Sequence, residues 1–368
     1  MTYKETFYFT GQCLSLEEHP SLGRTIVKRI QKDEINWECL VQLCSDHLVI
    51  PALYLQLKAH GIPPYLPREL NRTLTEIYTL NLERNSKILL QVEDIVAALL
   101  LKSIVPVFLK GTANLLDGLY CDLGERMIGD IDFLVPEEDY LQTAAVLAGM
   151  GYNHQGADYF DFKSLKHYPR LSKPSAVAPV EIHRLPVPSP YADQFNSAEI
   201  FRDKKAVAWK KGLFVPSDQH KLIHTFIHGQ LAEKSHAYKQ STFRELNDLY
   251  RLSKRIQVFS LPIHTRYQKK AIAWLVFGQR ALCLPGRFYP FEPKGAKWFV
   301  WKYNLALRYT RIYNSYTFLR KLMFLLFVRY AGGFVKAIFL ESQRLSVYRR
   351  MKDPQWYGAH LRSFNEYF

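Results

Sequence analysis

The chain has few cysteines and no pattern that would use them. Its five cysteines are an odd number, contain no CxxC pair and have no histidines at matching spacing. Neither a disulfide framework nor a zinc site is therefore indicated. The first residues also lack the basic start and apolar run of a secretory signal, so we expect a cytoplasmic, reducing location.

Long apolar runs are missing as well. No run exceeds seven apolar residues, and the longest candidate membrane stretch, residues 322–328, lies between Lys321 and Arg329, whereas a membrane-spanning helix needs about 20. We find no internal repeat and no low-complexity segment. Hydrophobic residues make up 48% and charged residues 23% of the 368 positions, which is typical of a globular chain with two or three structural units.

Acidic residues are scarce in the last third of the chain. Residues 251–368 contain 22 Lys and Arg against 4 Asp and Glu, whereas residues 1–250 contain 27 against 30. Such a basic block attracts RNA, nucleotides or an anionic membrane surface, although a solvated basic face is the alternative. Within it, residues 298–340 alternate aromatics with Lys and Arg, a pattern that fits base stacking, attachment to the membrane periphery, or packed helices.

The hydrophobic pattern changes twice along the chain. Residues 1–103 have the apolar spacing of packed helices, and residues 217–368 return to helical spacing with a basic composition. Between them, residues 104–216 alternate short β-branched apolar runs with helical segments, as in an α/β unit. Short strands are expected around residues 104–109, 130–135, 159–162, 168–171, 177–183, 206–209 and 213–215.

A pair of acids begins the second of these strands. Asp130 and Asp132 are two residues apart, so a strand directs both carboxylates to one face, with their Cα atoms about 6.5–7 Å apart. Two like charges held together need a cation or hydrogen-bond donors. Carboxylate oxygens suit Mg²⁺ or Mn²⁺, the ions used for phosphoryl displacement. The alternative is a solvated turn at the strand end.

Two further features accompany this acid pair. Lys110, Gly111 and Thr112 stand at a strand-to-helix junction, where phosphates of a nucleotide are often received, and Thr112 is expected to cap the helix or donate to phosphate. Glu181 lies within the strand-like segment VEIHRL, opposite in direction to its apolar neighbours. It would be a third metal ligand, the base for an incoming hydroxyl, or a solvent-facing residue.

The run VFLKGTANLLDGLYCDLGERMIGDIDFLV, followed by VEIHRLP, resembles the nucleotidyltransferase superfamily related to DNA polymerase β, in its bacterial, uncharacterised nucleotidyltransferase-like branch. The resemblance covers residues 104–250. It implies an α+β or α/β core with a small mixed sheet, between N-terminal helices and a helical, basic C-terminal region. Two departures are Thr112, where the superfamily has Gly or Ser, and a long spacing between Gly111 and Asp130.

The resemblance also implies roles for individual residues. Asp130, Asp132 and Glu181 would be the catalytic and metal-binding acids, and Lys110, Gly111 and Thr112 would bind the nucleotide phosphates. Arg126 matches an arginine shortly before the acid pair, and would meet phosphate or pair with a carboxylate.

Four residues farther along are weaker candidates. His220, His224 and His228 are spaced to share one helical face, where they would bind a transition metal or line a cleft. Asp248 would hydrogen-bond across the cleft or cap a helix.

The sequence therefore predicts a nucleotidyltransferase that uses Mg²⁺ or Mn²⁺ to transfer a nucleoside monophosphate from an NTP, such as ATP, to an acceptor hydroxyl. RNA, a small molecule and a protein all remain open as acceptors, and the basic region 251–368 favours RNA. The alternative is a catalytically inactive relative that binds RNA or an anionic membrane surface.

Overall fold

A computed structural model of the chain describes residues 1–154 and 166–324, and beyond them residues 327, 332–339, 341, 344, 345, 348 and 352. The chain forms two compact units, residues 1–304 and 305–368. The predicted boundaries after residues 103 and 216 stay predictions. The predicted strand at residues 159–162 lies outside the described residues.

The first hundred residues are helical, as predicted. The helices are α1 (Tyr3–Leu14), α2 (Leu22–Gln31), α3 (Trp37–Asp46), α4 (Ile50–Ala59) and the 33-residue α5 (Arg68–Leu100), with a short 3₁₀ turn at Pro63–Tyr65. Asparagine and threonine side chains cap α3 and α1 by accepting hydrogen bonds from free backbone N–H groups. Buried apolar residues at helical spacing along α5, such as Ile88, Val92, Ile95 and Leu99, pack this long helix onto the rest of the unit.

A seven-stranded mixed sheet follows. Its strands are β1 (Val107–Phe108), β2 (Ile131–Leu134), β3 (Asn153–His154), β4 (Leu171–Ser172), β5 (Val180–His183), β6 (Lys205–Ala206) and β7 (Phe214–Val215). Their order is β3-β4-β5-β2-β1-β7-β6. The pairs β2–β5 and β1–β7 are parallel, and the others are antiparallel. The predicted α+β class with a small mixed sheet is confirmed.

The centre of the sheet is formed by the most apolar strands. Every residue of β1 and β2 is buried, and so are Val180 and Ile182 of β5. Central strands are covered on both faces, which explains why short β-branched and aromatic runs occur here. The strand β3 was not predicted, because its two polar residues, Asn153 and His154, carry no apolar alternation.

One local prediction was wrong. Thr112 is not the cap of the helix after β1, because helix α6 (Lys110–Leu116) begins immediately after the strand and Leu109 is its N-cap residue. Thr112 therefore lies inside the first turn, where its buried hydroxyl contacts the Asp130 carbonyl oxygen at 3.3 Å. The cap position is apolar because the adjoining strand residues are fully buried.

Helices complete the described chain. They are α7 (Tyr140–Gly149), α8 (Ser197–Arg202), α9 (Asp218–Thr225), a π-helix (Phe226–Ala232), α10 (Ser235–Tyr238), α11 (Phe243–Ser253), α12 (Thr265–Ala281), α13 (Lys294–Arg308), α14 (Thr310–Phe324) and α15 (Gly332–Phe339), with a 3₁₀ turn at Ser189–Tyr191. In the described part of the chain, no helix combines the length and the apolar composition needed to cross a membrane.

The helices α1 and α12 approach each other closely at a glycine. A Cβ atom placed on Gly11 would lie 1.7 Å from the carbonyl oxygen of Ala281. Nearby, the Ser15 hydroxyl donates a 2.6 Å hydrogen bond to the Leu282 carbonyl oxygen. The N-terminal helices are thus fixed to a helix some 270 residues later in the chain.

Candidate active site

Two parallel strands at the sheet centre bring acidic residues together. In the register of β2 with β5, Asp132 lies opposite Glu181 and Leu134 lies opposite His183. Because side chains of paired residues emerge on the same face of a sheet, Asp132 and Glu181 are neighbours. The predicted proximity of Glu181 to the acid pair is what this register produces.

Asp132 is the most buried acid of this group, with 1% of its surface exposed. Its Oδ1 atom accepts a hydrogen bond from Lys110 Nζ at 2.6 Å and another from His183 Nε2 at 2.8 Å. Burial alone would raise the pKa of Asp132, but the Lys110 charge and the His183 hydrogen bond hold it well below the usual value. The carboxylate is therefore ionised although it is buried.

Glu181 joins the same network at slightly longer range. Its Oε2 atom lies 3.6 Å from His183 Nε2 and 4.0 Å from Lys110 Nζ. Burial opposes ionisation, yet the neighbouring His183 and Lys110 lower the pKa of Glu181 below its ordinary value. Lys110, in turn, has a raised pKa: burial disfavours its charge, but Asp132 and Glu181 outweigh that effect.

Lys110 adopts an unusual backbone conformation. Its φ angle is +51°, in the left-handed region that a residue with a Cβ atom seldom adopts. Such strain persists only where the surroundings determine it, and it is frequent at functional sites. In this conformation Lys110 is the first residue of α6, and its ammonium group lies beside Asp132.

Asp130 differs from Asp132 in its surroundings. It precedes β2, is only partly buried, and has Arg170 Nη2 at 3.8 Å from its Oδ2 atom. Burial and the charge of Asp132 raise the pKa of Asp130 to about 6. The two aspartates thus provide one firmly ionised carboxylate and one whose negative charge is poorly compensated.

Gly111 lies in a tight part of the site. A Cβ atom there would come within 3.3 Å of Ile128 Cγ1 and 3.5 Å of Arg126 Nη1. The loop that carries Arg126 therefore packs directly on the start of α6. The long spacing between Gly111 and Asp130 is accommodated by this loop, which is hydrogen-bonded to α5. Asn81 and Asn85 of that helix donate to the backbone carbonyl oxygens of Gly124, Leu123 and Arg126.

Arg126 pairs with a carboxylate, one of its two predicted uses. Its Nε and Nη2 atoms donate to the two oxygens of Asp248 at 2.9 and 2.7 Å, and both residues are buried. Asp248 also accepts hydrogen bonds from Tyr120 at 2.6 Å and Asn114 at 3.1 Å. Asp248 therefore joins α11 to the site loop and is not a helix cap. Phosphate binding by Arg126 stays a prediction.

A cleft opens between the sheet and the helices α9 and α11. Its lining includes Lys110, Gly111, Asp130 and Asp132 on one side and the residues His224, His228, Arg244 and Glu245 on the other. The helical wall contains the π-helix, a rare form that is frequent at functional sites. His224 Nε2 is buried without a hydrogen-bond partner among the described residues, and burial together with the charge of Lys110 lowers the pKa of His224 well below its ordinary value.

The three predicted histidines do not converge. His224 and His228 are adjacent, with ring centroids 5.9 Å apart. His220 shares a face with His224, since both rings contact Phe195, but its Nε2 atom lies 3.7 Å from Asp203. Across residues 1–154 and 166–324 and the described positions beyond, the ligand atoms that meet closely enough for one ion belong to Asp132, Glu181 and His183, all within 4.8 Å of one another. His224 and His228 instead line the cleft.

A comparison with protein families identifies the chain. The model of a family described as "Uncharacterised nucleotidyltransferase" matches residues 33–282, well over half of the 368 residues. The chain belongs to this family. No curated protein and no solved structure matches it. Membership of the uncharacterised nucleotidyltransferase family confirms the resemblance and supports nucleotidyl transfer as the general activity.

Two residues of this candidate site were missed in the sequence. His183 stands two positions after Glu181, so strand alternation already placed both on one face. Lys166 had no such signal, because it lies between short segments without clear periodicity. Burial, followed by the charge of Lys110, lowers the pKa of Lys166 to about 8.

Proposed function

We propose that the chain transfers a nucleoside monophosphate from an NTP to an acceptor hydroxyl in a reaction that depends on Mg²⁺ or Mn²⁺. The observation that carries this proposal is the pairing of Asp132 with Glu181 across the two central parallel strands, beside Asp130. The acceptor oxygen forms a bond to the α-phosphorus. The bond from that phosphorus to the bridging oxygen breaks, and pyrophosphate leaves with the electron pair.

The residues present fit a divalent cation. Asp130, Asp132 and Glu181 offer carboxylate oxygens, which Mg²⁺ and Mn²⁺ prefer. Burial and, after it, the charge of Asp132 raise the pKa of Asp130, and a bound cation would relieve this repulsion between carboxylates. When bound, the ion supplies a positive charge that neutralises the reacting phosphate. His183 donates to Asp132, and such a partner fixes the direction of a ligand carboxylate.

We assign the nucleotide phosphates to the side of the cleft lined by Lys110 and Gly111, with Thr112 next to them in the first turn of α6. Lys110 supplies an ammonium group there, Lys166 provides a second positive charge that interacts with Lys110, and Gly111 has no side chain of its own between the backbone and the cleft. Glu181, with one face toward the acids and 17% of its side chain exposed, takes the proton of the acceptor hydroxyl or contributes to the metal site. Arg126 contributes indirectly, by holding the loop before Asp130.

The acceptor belongs to one of three classes: RNA, a small molecule or a protein. RNA is favoured by the positive charge of residues 251–368. The second candidate function is a non-catalytic module that binds RNA or a membrane surface. The ionised pair of Asp132 and Glu181 at the cleft favours catalysis, because a binding module has no need of buried carboxylates held in register.

The test is label transfer from each α-³²P NTP with Mg²⁺ or Mn²⁺, with cell extract as the source of acceptors. Asp130→Asn, Asp132→Asn and Glu181→Gln are expected to reduce transfer to background, and His183→Gln to reduce it about 10–100-fold. Matched control variants are Asp46→Asn and Glu38→Gln, which remove exposed acids on α3 and should leave transfer unchanged.

Each outcome separates the two candidate functions. Loss of transfer in the site variants alone supports the enzyme, and the mobility of the labelled product identifies the acceptor class. Absence of transfer by the unaltered protein, together with absence of metal-dependent NTP binding in calorimetry, would favour the binding module. Equal losses in site and control variants would contradict the assignment of the three acids.

A further inference from the structure

Helix α14 carries an exposed apolar stripe in the second compact unit. Ile312, Tyr316, Leu319 and Met323 are 71%, 53%, 56% and 46% exposed. At about 100° per residue these four positions fall within an arc of about 60° on the helix surface. Folded proteins leave single apolar side chains in water, but an aligned row of them marks a surface that meets a partner.

Basic residues flank this stripe on both sides. Arg311 and Arg320 are exposed, and they lie about 110° and 70° from the centre line of the stripe, in opposite directions. Arg308, the last residue of α13, precedes α14 by two positions, with its guanidinium 5.6 Å from the Tyr309 ring. Residues 293–340 contain nine Lys and Arg and no Asp or Glu. The helix thus combines an apolar face with a positive border.

We propose that α14 binds the surface of an anionic lipid bilayer and lies flat on it. The apolar stripe would enter the region between headgroups and acyl chains, while the flanking arginines meet lipid phosphates. The helix has 15 residues, about 22 Å of length, which is short of the hydrocarbon thickness of about 30 Å. Its dimensions therefore suit attachment parallel to the surface.

Two other partners fit the same helix less well. A second copy of the chain would bring an equally basic stretch against this one, with no acidic residue in 293–340 to pair with it. RNA would be attracted by the charge, but three of the four stripe residues are aliphatic, and Tyr316 alone has a ring on which a base stacks. An anionic bilayer complements both the charge and the aliphatic side chains.

The experiment is flotation of the full-length protein with vesicles of phosphatidylcholine, alone or mixed with about 30% phosphatidylserine to supply negative charge. The stripe variant combines Ile312→Ser with Leu319→Ser. Its matched control combines Leu80→Ser with Leu90→Ser, which removes two leucines of similar exposure, 64% and 63%, from helix α5.

A second pair of variants tests the charge. Arg308→Gln with Arg311→Gln removes two positive charges beside the stripe. Lys269→Gln with Lys270→Gln removes two exposed charges from α12 instead. Far-UV circular dichroism confirms that each variant is folded, and the arginine pair decides the test if the stripe variant is not.

We expect the unaltered protein to float with anionic vesicles and to remain in solution with phosphatidylcholine alone. The affinity of the stripe variant and of the arginine variant for anionic vesicles should each fall by at least about tenfold, while the affinity of both controls should stay within about twofold of that of the unaltered protein. Equal losses in the stripe variant and the leucine control would overturn the proposal. Absence of flotation of the unaltered protein would also overturn it. In that case, a change from dimer to monomer in the stripe variant, measured by light scattering, would indicate a second copy as the partner, and weaker RNA binding by this variant would indicate RNA.

Discussion

The buried pair of Arg126 and Asp248 makes a sharp prediction about stability. Asp248→Asn keeps the shape of the side chain but removes the charge that meets Arg126 through two hydrogen bonds of 2.9 and 2.7 Å. Arg126 is 8% exposed, so its guanidinium would be left buried without a counter-ion. Breaking one partner of such a pair costs about 3–5 kcal/mol of the free energy of unfolding.

The measurement is equilibrium unfolding in urea followed by tryptophan fluorescence. The matched control is Glu292→Gln, which breaks an Arg–Glu pair at the surface, where Arg280 is 46% exposed. We expect a loss below about 1 kcal/mol there. A similar denaturant slope in all variants would show that the same transition is compared.

The effect should also depend on pH. Burial raises the pKa of Asp248, but the charge and hydrogen bonds of Arg126 more than offset this and hold it below the ordinary value. A carboxyl whose pKa is lower in the folded state stabilises the protein above its unfolded pKa, near 4, and this contribution is lost as the pH falls further. The difference between the unaltered protein and Asp248→Asn should therefore shrink below about pH 4.

Two results would refute this reasoning. One is a loss below about 1 kcal/mol for Asp248→Asn, equal to that of the surface control. The other is full recovery of stability by an added phosphate compound, because this would mean that Arg126 is available to an external anion.

Three further predictions follow from other parts of the structure. Burial lowers the pKa of His47 to about 4. The neutral imidazole therefore contributes its full share to the free energy of unfolding above about pH 6.5, and this contribution falls by up to about 1.4 kcal/mol per pH unit below that pH. The unfolding of His47→Asn should lack this pH dependence. Gly11→Ala should lower the melting temperature sharply, since its Cβ would lie 1.7 Å from a backbone oxygen of α12, whereas Gly149→Ala meets nothing within 4 Å and should be neutral. Lys110→Met should destabilise the metal-free protein, because it removes the ammonium group beside Asp132. In thermal-shift measurements, Mn²⁺ should then raise the melting temperature of this variant more than that of the unaltered chain. Equal shifts would contradict the idea that the ammonium group and the cation share one site at Asp132.

Much of the site's framework was readable from local pattern. Alternation along a strand placed Asp130 and Asp132 on one face and turned Glu181 away from its apolar neighbours. The change from helical spacing to short apolar runs at residue 104 located the sheet. These features depend on neighbours within a few residues, which is why a sequence pattern predicts them.

Other contacts had no local signal. Arg126 and Asp248 are 122 positions apart, and the sequence left two partners open for the arginine. The partnership of Lys110 with Asp132 was also not predicted, because it depends on a strand-to-helix turn in which a lysine adopts a positive φ angle. The expected cap at Thr112 failed for a similar reason: burial of the strand end fixed where α6 begins.

The sequence by itself determined most of the helical and strand segments, the presence of a closely spaced carboxylate pair, and the positive charge of the last third of the chain. The tertiary structure alone decided that β2 and β5 are parallel neighbours in a register that sets Asp132 against Glu181. It also decided that Lys110 and His183 share one carboxylate oxygen. Strand order and register arise from the burial of whole segments against distant parts of the chain, and the free energy of that packing is not contained in any local run of residues.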